Sequence, residues 1–335
     1  MMQMAKRRYM VFGFLILLLP LVVIFGIMVG SVKISPGEVI TQLITWGNTK
    51  TVMSKIIWNL RIPRTFGAVL GGAALTVSGI LLQALFRNPL AEPYILGISS
   101  GATLGMALSI LAGIGFSQSP YGYMTLAILG AFFVTIMILS VARFAKSSVV
   151  LLLVGLMFAY IFSSIVNVLI TFAPDEKVKN FTLWTLGSFS GLTWTQLKVL
   201  FFPTTIGLVL AFLCSKQLNA SLLGEEYAKN LGINPKRFRF YTVAVASILT
   251  ASITAFAGPI SFVGLAVPHI TRLMLGSSDH RYLLPAGMLL GASFTVLADT
   301  GARTLAAPVE LPISVLTSIV GAPIVIILLL KKGIK

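Results

Sequence analysis

Few side chains in this sequence could do chemistry, and most of them lie beside apolar segments. Asp299 and Arg303 are four residues apart, so on a helix they share one face near its outer end. Such a pair forms an internal salt bridge, or it contributes to an ion-coupled carrier, which needs a buried carboxylate or histidine relay. The histidines, His269 and His280, are eleven residues apart. No His, Cys or carboxylate cluster has the spacing of a metal site.

Motifs for enzymatic chemistry are missing from the sequence. There is no GxxxxGK phosphate-binding loop, so we do not expect this chain to hydrolyse ATP itself. The single cysteine, Cys214, lies in an apolar run and excludes an intrachain disulfide. An intramembrane enzyme would need a nucleophile or a metal pair facing one cavity, and the sequence offers neither. We therefore predict no catalytic residue, metal or cofactor in this chain.

One stretch concentrates charge. "LLGEEYAKNLGINPKRFR", residues 222 to 239, carries six charged side chains in a chain that is 10% charged. Glu225 and Lys229 stand in the order that favours a helix, Gly232 predicts a helix stop, and Pro235 predicts the start of a second short helix. Two short helices across the membrane face would make a rigid platform. The stretch is either a solvated loop or a docking site for a cytoplasmic partner.

Composition places these residues in a membrane protein. The chain is 57% hydrophobic over 335 residues, with a mean hydropathy of +0.97, which leaves too little polar surface for a water-soluble globule. The formal charge of +16 does not indicate a nucleic-acid partner, because the basic residues sit singly between apolar runs. We therefore expect contact with membrane lipid.

Apolar runs of about 20 residues predict membrane-crossing helices. They fall near 10–30, 66–86, 94–115, 121–142, 148–172, 197–215, 240–258, 283–300 and 311–330, with a shorter run near 260–275. The first run is too long for a signal peptide and no cleavage site follows, so we predict a retained helix. With the N-terminus in the cytoplasm, ten crossings put most lysines and arginines inside, including those of 222–239 and the C-terminus.

Glycine and proline interrupt several of these runs. The interruptions lie at 87–93, 257–269 and 309–316, and breaks at membrane depth are tolerated only against protein or a watery cavity. Residues 61–110 and 239–275 share a helix, a break and a second helix with opposite predicted directions, which suggests an inverted repeat. Glycines at four-residue spacing predict close helix packing; they are Gly67 with Gly71, and Gly97, Gly101 and Gly105.

Seven blocks of the sequence resemble one family. They are "RIPRTFGAVLGGAALTVSGILLQALFRNPLAEPYILGISSGA" (61–102), "LLLVG" (151–155), "LGEEYAKNLGI" (223–233), "GPISFVGLAVPHITRL" (258–273), "DHRYLLPAG" (279–287), "LADTGAR" (297–303) and "ELPISVLTSIVGAPIVIILLLKKG" (310–333). In this order they are similar to the permease subunits of type II ABC importers for iron-siderophore complexes, haem and cobalamin. The likeness runs from about residue 31 to the end of the chain.

The resemblance implies an all-α membrane protein with ten transmembrane helices and inverted-repeat-like halves, forming a single permease domain over residues 1–335. It implies a multi-pass protein of the cytoplasmic membrane with both termini in the cytoplasm. The implied partners are a second copy or a homologous permease, two cytoplasmic ATPase subunits that bind ATP and Mg, and an extracytoplasmic substrate-binding protein or lipoprotein.

The resemblance also assigns roles to residues. The coupling helices, about 218–239, would dock in the ATPase through Gly224, Glu225, Glu226, Ala228, Leu231 and Gly232. The binding protein would dock on Arg61, Arg64 and Arg303, whose planar guanidinium groups suit carboxylates; lipid headgroups or Asp299 are the alternative partners. The cytoplasmic gate maps to Asn88, Leu90 and Ser148. The fifth helix offers uncharged pathway residues, namely Met157, Tyr160, Ser164 and Asn167.

The predicted function is import by alternating access, driven by a separate ATPase. An iron(III)-siderophore complex is the preferred cargo because such importers prevail in the family, and haem and cobalamin remain open. His269, beside Pro268, is expected to be structural rather than a haem ligand. An ion-coupled secondary transporter is the alternative from another class, although the predicted spans contain few ionisable residues.

Overall fold

The computed structural model describes residues 2–45, 51–114, 120–145 and 147–333, and the regular elements in these ranges are all helical. The α-helices are α1 (Met2–Met28), α2 (Pro36–Ile44), α3 (Val52–Lys55), α4 (Ile62–Phe86), α5 (Ile98–Ile110), α6 (Pro120–Phe144), α7 (Ser148–Phe172), α8 (Asp175–Thr185), α9 (Trp194–Leu213), α10 (Ser215–Leu222), α11 (Glu225–Asn230), α12 (Pro235–Ala257), α13 (Val263–Leu275), α14 (His280–Thr304) and α15 (Ile313–Gly333). A π-helical segment, Ile56–Arg61, leads into α4, and a 3-10 turn, Pro93–Leu96, leads into α5.

Ten of these helices match the ten predicted crossings. In the described ranges seven are long and apolar enough to cross a membrane, and α5, α13 and α15 supply three shorter apolar helices. The run near 260–275 therefore forms a helix of its own, as predicted. Lys50, Lys146 and the side chains of Lys331, Lys332 and Lys335 lie outside the described residues.

Contacts between helix ends define two faces. On the first, the start of α1 meets the end of α13, where Arg7 Nε donates to the Met274 carbonyl at 2.8 Å, and Arg8 lies 4.2 Å from the ring centroid of Tyr282 in α14. We call it the basic face, because Arg87, Arg143 and Arg281 also lie at helix ends there. On the opposite face, Arg303 at the end of α14 reaches the carbonyl of Gly26 near the end of α1.

Helix α4 is the centre of the bundle and is buried along nearly its whole length. Its small residues let neighbouring backbones approach closely, since a Cβ added at Gly72 would overlap the Gly291 carbonyl of α14. Of the glycines predicted for packing, Gly97, Gly101 and Gly105 behave in the same way: a Cβ on Gly105 of α5 would overlap the Leu126 carbonyl of α6. Gly67 and Gly71 instead make room for the side chains of Leu192 and Phe189. Close backbone contact thus holds the central helices together.

The two helix–break–helix units run in opposite directions, as the predicted inverted repeat requires. α4 and α5 are joined by a break that contains left-handed residues at Arg87 and Gly97, and α12 and α13 by a break with positive φ at Gly258 and Phe262. α4 runs towards the basic face and α12 away from it. The second break covers only residues 258–262, so the predicted interruption at 257–269 was too long: α13 continues through Pro268.

The charged stretch also folds differently from the prediction in one respect. The two short helices are α10 and α11, whereas Pro235 starts the long crossing helix α12 and not a second short one. Asn234 caps α12 through Oδ1, which accepts from the N–H groups of Lys236 and Arg237. No helix breaker follows before Gly258, so the helix runs on into the membrane.

Candidate functional site

The three arginines predicted to dock a binding protein come together at one cavity. Arg61, Arg64 and Arg303 line a cavity of about 250 Å³ on the opposite face, together with Glu310 from the segment between α14 and α15. Arg61 ends the π-helical segment, Arg64 lies in the first turn of α4, and Arg303 in the last turn of α14. The turn ahead of Pro63 widens because proline has no N–H to continue the α-helical ladder.

Arg61 is bound to backbone. Its Nη1 donates to the carbonyls of Ile27 and Met28 at 3.0 and 2.8 Å, and its Nη2 donates to the carbonyl of Val32. The Ile27 and Met28 carbonyls lie at the end of α1, where no helical N–H remains to bond them, and that of Val32 lies just beyond it. Arg61 therefore caps α1 and fixes it against α4.

Arg64 lies at the centre of a buried ion network. Its Nε donates to both carboxylate oxygens of Asp299 at 3.0 and 2.9 Å, and its Nη1 donates to both oxygens of Glu310 at 2.9 Å. The side chains of Arg64 and Asp299 are 8% and 2% exposed, whereas that of Glu310 is 35% exposed. The Arg64–Asp299 pair is thus sealed in the protein, and the Glu310 end of the network is open to solvent.

Arg303 completes the network from α14. Its Nη2 donates to the Gly26 carbonyl at 2.6 Å and to Thr300 Oγ1 at 3.1 Å, and its Nε lies 3.7 Å from Asp299. The expected pairing of Asp299 with Arg303 is therefore present, and Arg64 shares the same carboxylate. With three arginines and two carboxylates, the cavity carries an excess of positive charge that suits an incoming carboxylate.

Sequence reasoning missed Glu310 as a partner of Arg64. The residue lies inside the quoted segment "ELPISVL", but 246 positions separate it from Arg64. A lone glutamate between Pro308 and Pro312 in an apolar region was the available signal, since a charge there needs a partner or water.

On the basic face, α11 forms a small exposed platform. It ends in a Schellman motif, in which the Gly232 N–H bonds the Lys229 carbonyl and the Ile233 N–H bonds the Ala228 carbonyl. Gly232 has φ +83°, and Gly224 at the other end has φ +126°, which is why glycine suits both positions.

The predicted coupling residues divide between the two sides of α11. Ala228 is buried against the bundle, while Glu226 and Leu231 are exposed. The side chain of Glu225 lies outside the described residues. The platform therefore presents charged and apolar groups outward on a backbone whose two ends are fixed.

The predicted gate residues lie next to this platform. Asn88 Oδ1 accepts from the Leu90 N–H at 2.9 Å, closing a turn after α4, and Leu90 is 38% exposed. Ser148 is the first residue of α7 and lines a cavity of about 200 Å³ with Arg87 and Ala228. The structure thus places Ser148 at the same cavity as Arg87, the residue that precedes Asn88.

The predicted pathway residues form a stripe along α7. Met157, Tyr160, Ser164 and Asn167 are all exposed in the single chain, and their spacing of three, four and three residues places them on one helical face. Ser164 Oγ donates back to the Tyr160 carbonyl at 2.9 Å. The face therefore offers uncharged polar and apolar groups.

In the described ranges, seven long apolar helices with three shorter ones, two helix pairs interrupted by breaks and an exposed platform at one face are the features of a membrane transport permease. The chain belongs to the FecCD transport family, whose profile matches residues 17–331. It is therefore an ABC importer permease, as the sequence blocks predicted.

Named relatives align with this chain along nearly their whole length. The hemin transport system permease protein HmuU of Yersinia pestis is 38% identical over 330 residues, 96% of this chain and 95% of that protein. The vitamin B12 import system permease protein BtuC of Escherichia coli is 39% identical over 321 residues, 94% and 93% of the two chains. The solved structure of an inward-facing metal-chelate type ABC transporter covers 96% of this chain and 99% of its own, with a TM-score of 0.83 and 33% identity.

We predict that Asp299→Asn destabilises the fold far more than Glu310→Gln. The first change leaves the buried Arg64 and Arg303 without their shared carboxylate, which costs about 3–5 kcal/mol for a broken buried pair. The second removes a partly exposed partner, which costs at most about 1 kcal/mol. Thermal unfolding of the purified permease in detergent measures both, and equal shifts of the midpoint would contradict the central role of Asp299.

Proposed function

We propose that this permease carries an iron(III)-siderophore complex across the cytoplasmic membrane, with both termini in the cytoplasm, and that two copies or two homologous permeases enclose the pathway. Haem and cobalamin are the alternative cargoes, because the hemin and vitamin B12 permeases named above are relatives. All three cargoes are metal chelates, in keeping with the structural neighbour.

The polar stripe on α7 is the observation that carries this proposal. Tyr160 and Asn167 are exposed on a helix within the membrane, where polar side chains face protein or a watery cavity rather than lipid. A second permease packed across this face would enclose the stripe in a central pathway. Its uncharged lining would let a bulky chelate pass without binding it tightly, since the binding protein supplies affinity.

The histidines favour a siderophore over haem as cargo. His269 Nε2 lies 2.8 Å from the Pro89 carbonyl, and His280 is buried at the basic face beside Asn219. Neither residue is on α7. Haem transport through this stripe would have to proceed without coordination by a histidine of that helix.

Transport by the reconstituted importer tests the cargo. Proteoliposomes holding the permease, its ATPase and its binding protein should take up an iron-labelled siderophore only with ATP. Haem and cobalamin, offered in parallel, should remain outside. Uptake restricted to haem or to cobalamin would overturn the siderophore assignment and leave the permease assignment intact.

The platform on α11 is the proposed contact with the ATPase. Glu226 and Leu231 point outward while Ala228 anchors the helix, so a partner groove can grip the exposed side and move the helix as a unit. The exposed charge supplies specificity at such an interface.

We predict that Glu226→Arg weakens association with the ATPase at least about tenfold, because it places a like or unpaired charge in the interface. Glu176→Arg is the matched control, since Glu176 is equally exposed but lies on α8, at the opposite end of the bundle. Co-purification and ATP-dependent uptake measure the effect. An unchanged ATPase complex in the Glu226 variant, with normal uptake, would remove α11 from the coupling interface.

The arginine cavity is the proposed docking site of the binding protein. Arg61 and Arg303 are held by backbone carbonyls, so the group that an incoming carboxylate can replace is Glu310, which is partly exposed and sits on Arg64. Docking would then exchange an internal carboxylate for one from the binding protein. The exchange would free the segment that leads into α15.

We predict that Glu310→Gln tightens docking of the binding protein several-fold, because the internal competitor for Arg64 is gone while Asp299 still holds the arginine. Glu38→Gln serves as the control for the lost negative charge, since Glu38 is exposed on α2. Equilibrium binding to the permease in nanodiscs measures the affinity. Weaker or equal binding in the Glu310 variant would argue against this exchange.

A further inference from the structure

A second group of basic residues surrounds a cavity on the basic face. The cavity has a volume of about 260 Å³ and lies between the end of α4, the last turns of α13 and the start of α14. Its lining includes Arg87, His269, Arg272 and His280, which we call the basic pocket, and no acidic residue lines it.

Arg272 is held in place by a glutamine. Gln83 Nε2 lies 3.3 and 3.4 Å from the carbonyls of Gly264 and Leu265, to which it donates, and this fixes the amide so that Oε1 accepts from Arg272 Nη1 at 2.7 Å. A neutral amide orients the guanidinium but does not neutralise it. This contact therefore fixes the position of the Arg272 guanidinium, but it does not compensate the positive charge.

His280 presents an unpartnered nitrogen. The residue is 1% exposed, its Nδ1 lies 2.8 Å from Asn219 Oδ1, and its Nε2 is buried without a hydrogen-bond partner among the described residues. A buried polar atom of this kind costs free energy unless a ligand or water bonds it.

The orientation of the Asn219 amide shows which nitrogen of the His280 ring carries a proton. Burial opposes ionisation of Asp279, but hydrogen bonds from the Arg281 N–H and the Asn219 amide, with the Arg281 charge, outweigh it and lower the pKa of Asp279. Because Asn219 Nδ2 donates to this carboxylate at 2.7 Å, its Oδ1 faces His280, and Nδ1 must carry a proton. Nε2 is then the free end of the ring.

Within the described part of the chain, the positive charge of the pocket has no acidic partner. Among the described residues neither Arg87 nor Arg272 has a carboxylate within ion-pair distance, and Asp279 is occupied by Asn219 and Arg281. Two guanidinium groups around one cavity select an anion. Phosphate fits best, because its several oxygens accept from arginine forks. A P–O⁻ oxygen of inorganic phosphate or of a phosphodiester can accept from a protonated His280 Nε2, and the P–OH of inorganic phosphate can donate to an unprotonated one.

We propose that the basic pocket binds a phosphate group, supplied by inorganic phosphate or by the headgroup of an anionic phospholipid. Pro89, whose carbonyl is bonded to His269, and Arg87 both line the pocket and flank Asn88 of the predicted gate. A bound phosphate therefore ties the gate segment to α13 and α14. This site is independent of the cargo and of the arginine cavity on the opposite face.

Two arms of one experiment separate the sources. Native mass spectrometry of the purified permease counts bound inorganic phosphate in one arm, with phosphatidylcholine nanodiscs and chloride as the reference at equal ionic strength. The other arm counts retained phosphatidylglycerol from mixed nanodiscs in phosphate-free buffer. Retention above the reference in the first arm assigns free phosphate, and retention in the second assigns the lipid. Retention at the reference level in both arms overturns the proposal.

Variants of the pocket show whether the bound group sits there. Arg272→Gln should lower retention at least fivefold, and Arg87→Asn should do the same where the first variant fails to fold, because asparagine tolerates the left-handed backbone of Arg87. Lys216→Gln removes the same charge from an exposed position outside the pocket and should retain the ligand. An equal loss of the retained ligand in all three variants would mean that general surface charge causes the retention, and it would overturn the assignment to the basic pocket.

Discussion

Backbone groups at membrane depth have no water to bond them, so each break in a crossing helix must be satisfied by protein. Here the break after α4 is bonded both by the break after α12 and by α13. The Glu92 carboxylate accepts from the Phe262 N–H, and His269 bonds the Pro89 carbonyl at 2.8 Å. This mutual arrangement depends on the contact of α4 with α13, where Gly79 meets the Gly264 backbone. The remaining helices are arranged around this joint.

The two faces of the bundle handle charge in different ways. On the opposite face, arginines meet carboxylates or helix-end carbonyls, so the sealed part of the network is a structural element and Glu310 alone is partly exposed. On the basic face, Arg272 is positioned by Gln83 and left with its charge. Desolvated charge is costly without a counter-ion. Under the two proposals above, a soluble partner would exchange with a carboxylate on one face, and an anion would supply the missing counter-charge on the other.

The sequence predicted the crossing helices well where local signals were strong. Residues 148–172 were predicted to cross, and α7 covers Ser148–Phe172, because Ser147 caps its start and Ala173 before a proline ends it. The fold class and the family were confirmed. Pro235 was misread because proline at a first turn is equally suited to a short or a long helix. The partners of Arg64 and His280 could not be predicted, since they lie far away in the chain and only packing brings them together. The roles of the individual site residues stay predictions.

The cavity of about 200 Å³ behind α11 brings the platform next to two of the predicted functional segments, the gate after α4 and the start of α7. Its lining includes Ala228 of α11, Pro235 of α12, Phe86 and Arg87 at the end of α4, and Ser147 and Ser148 at the start of α7. Packed side chains transmit displacement because protein interiors are dense and barely compressible. Ala228 is buried, so α11 cannot shift without pressing on this shared space. α11 itself packs against α10 and α12, so under the proposed ATPase contact a displacement of α11 would act on the predicted gate and pathway residues through these two helices and the shared cavity.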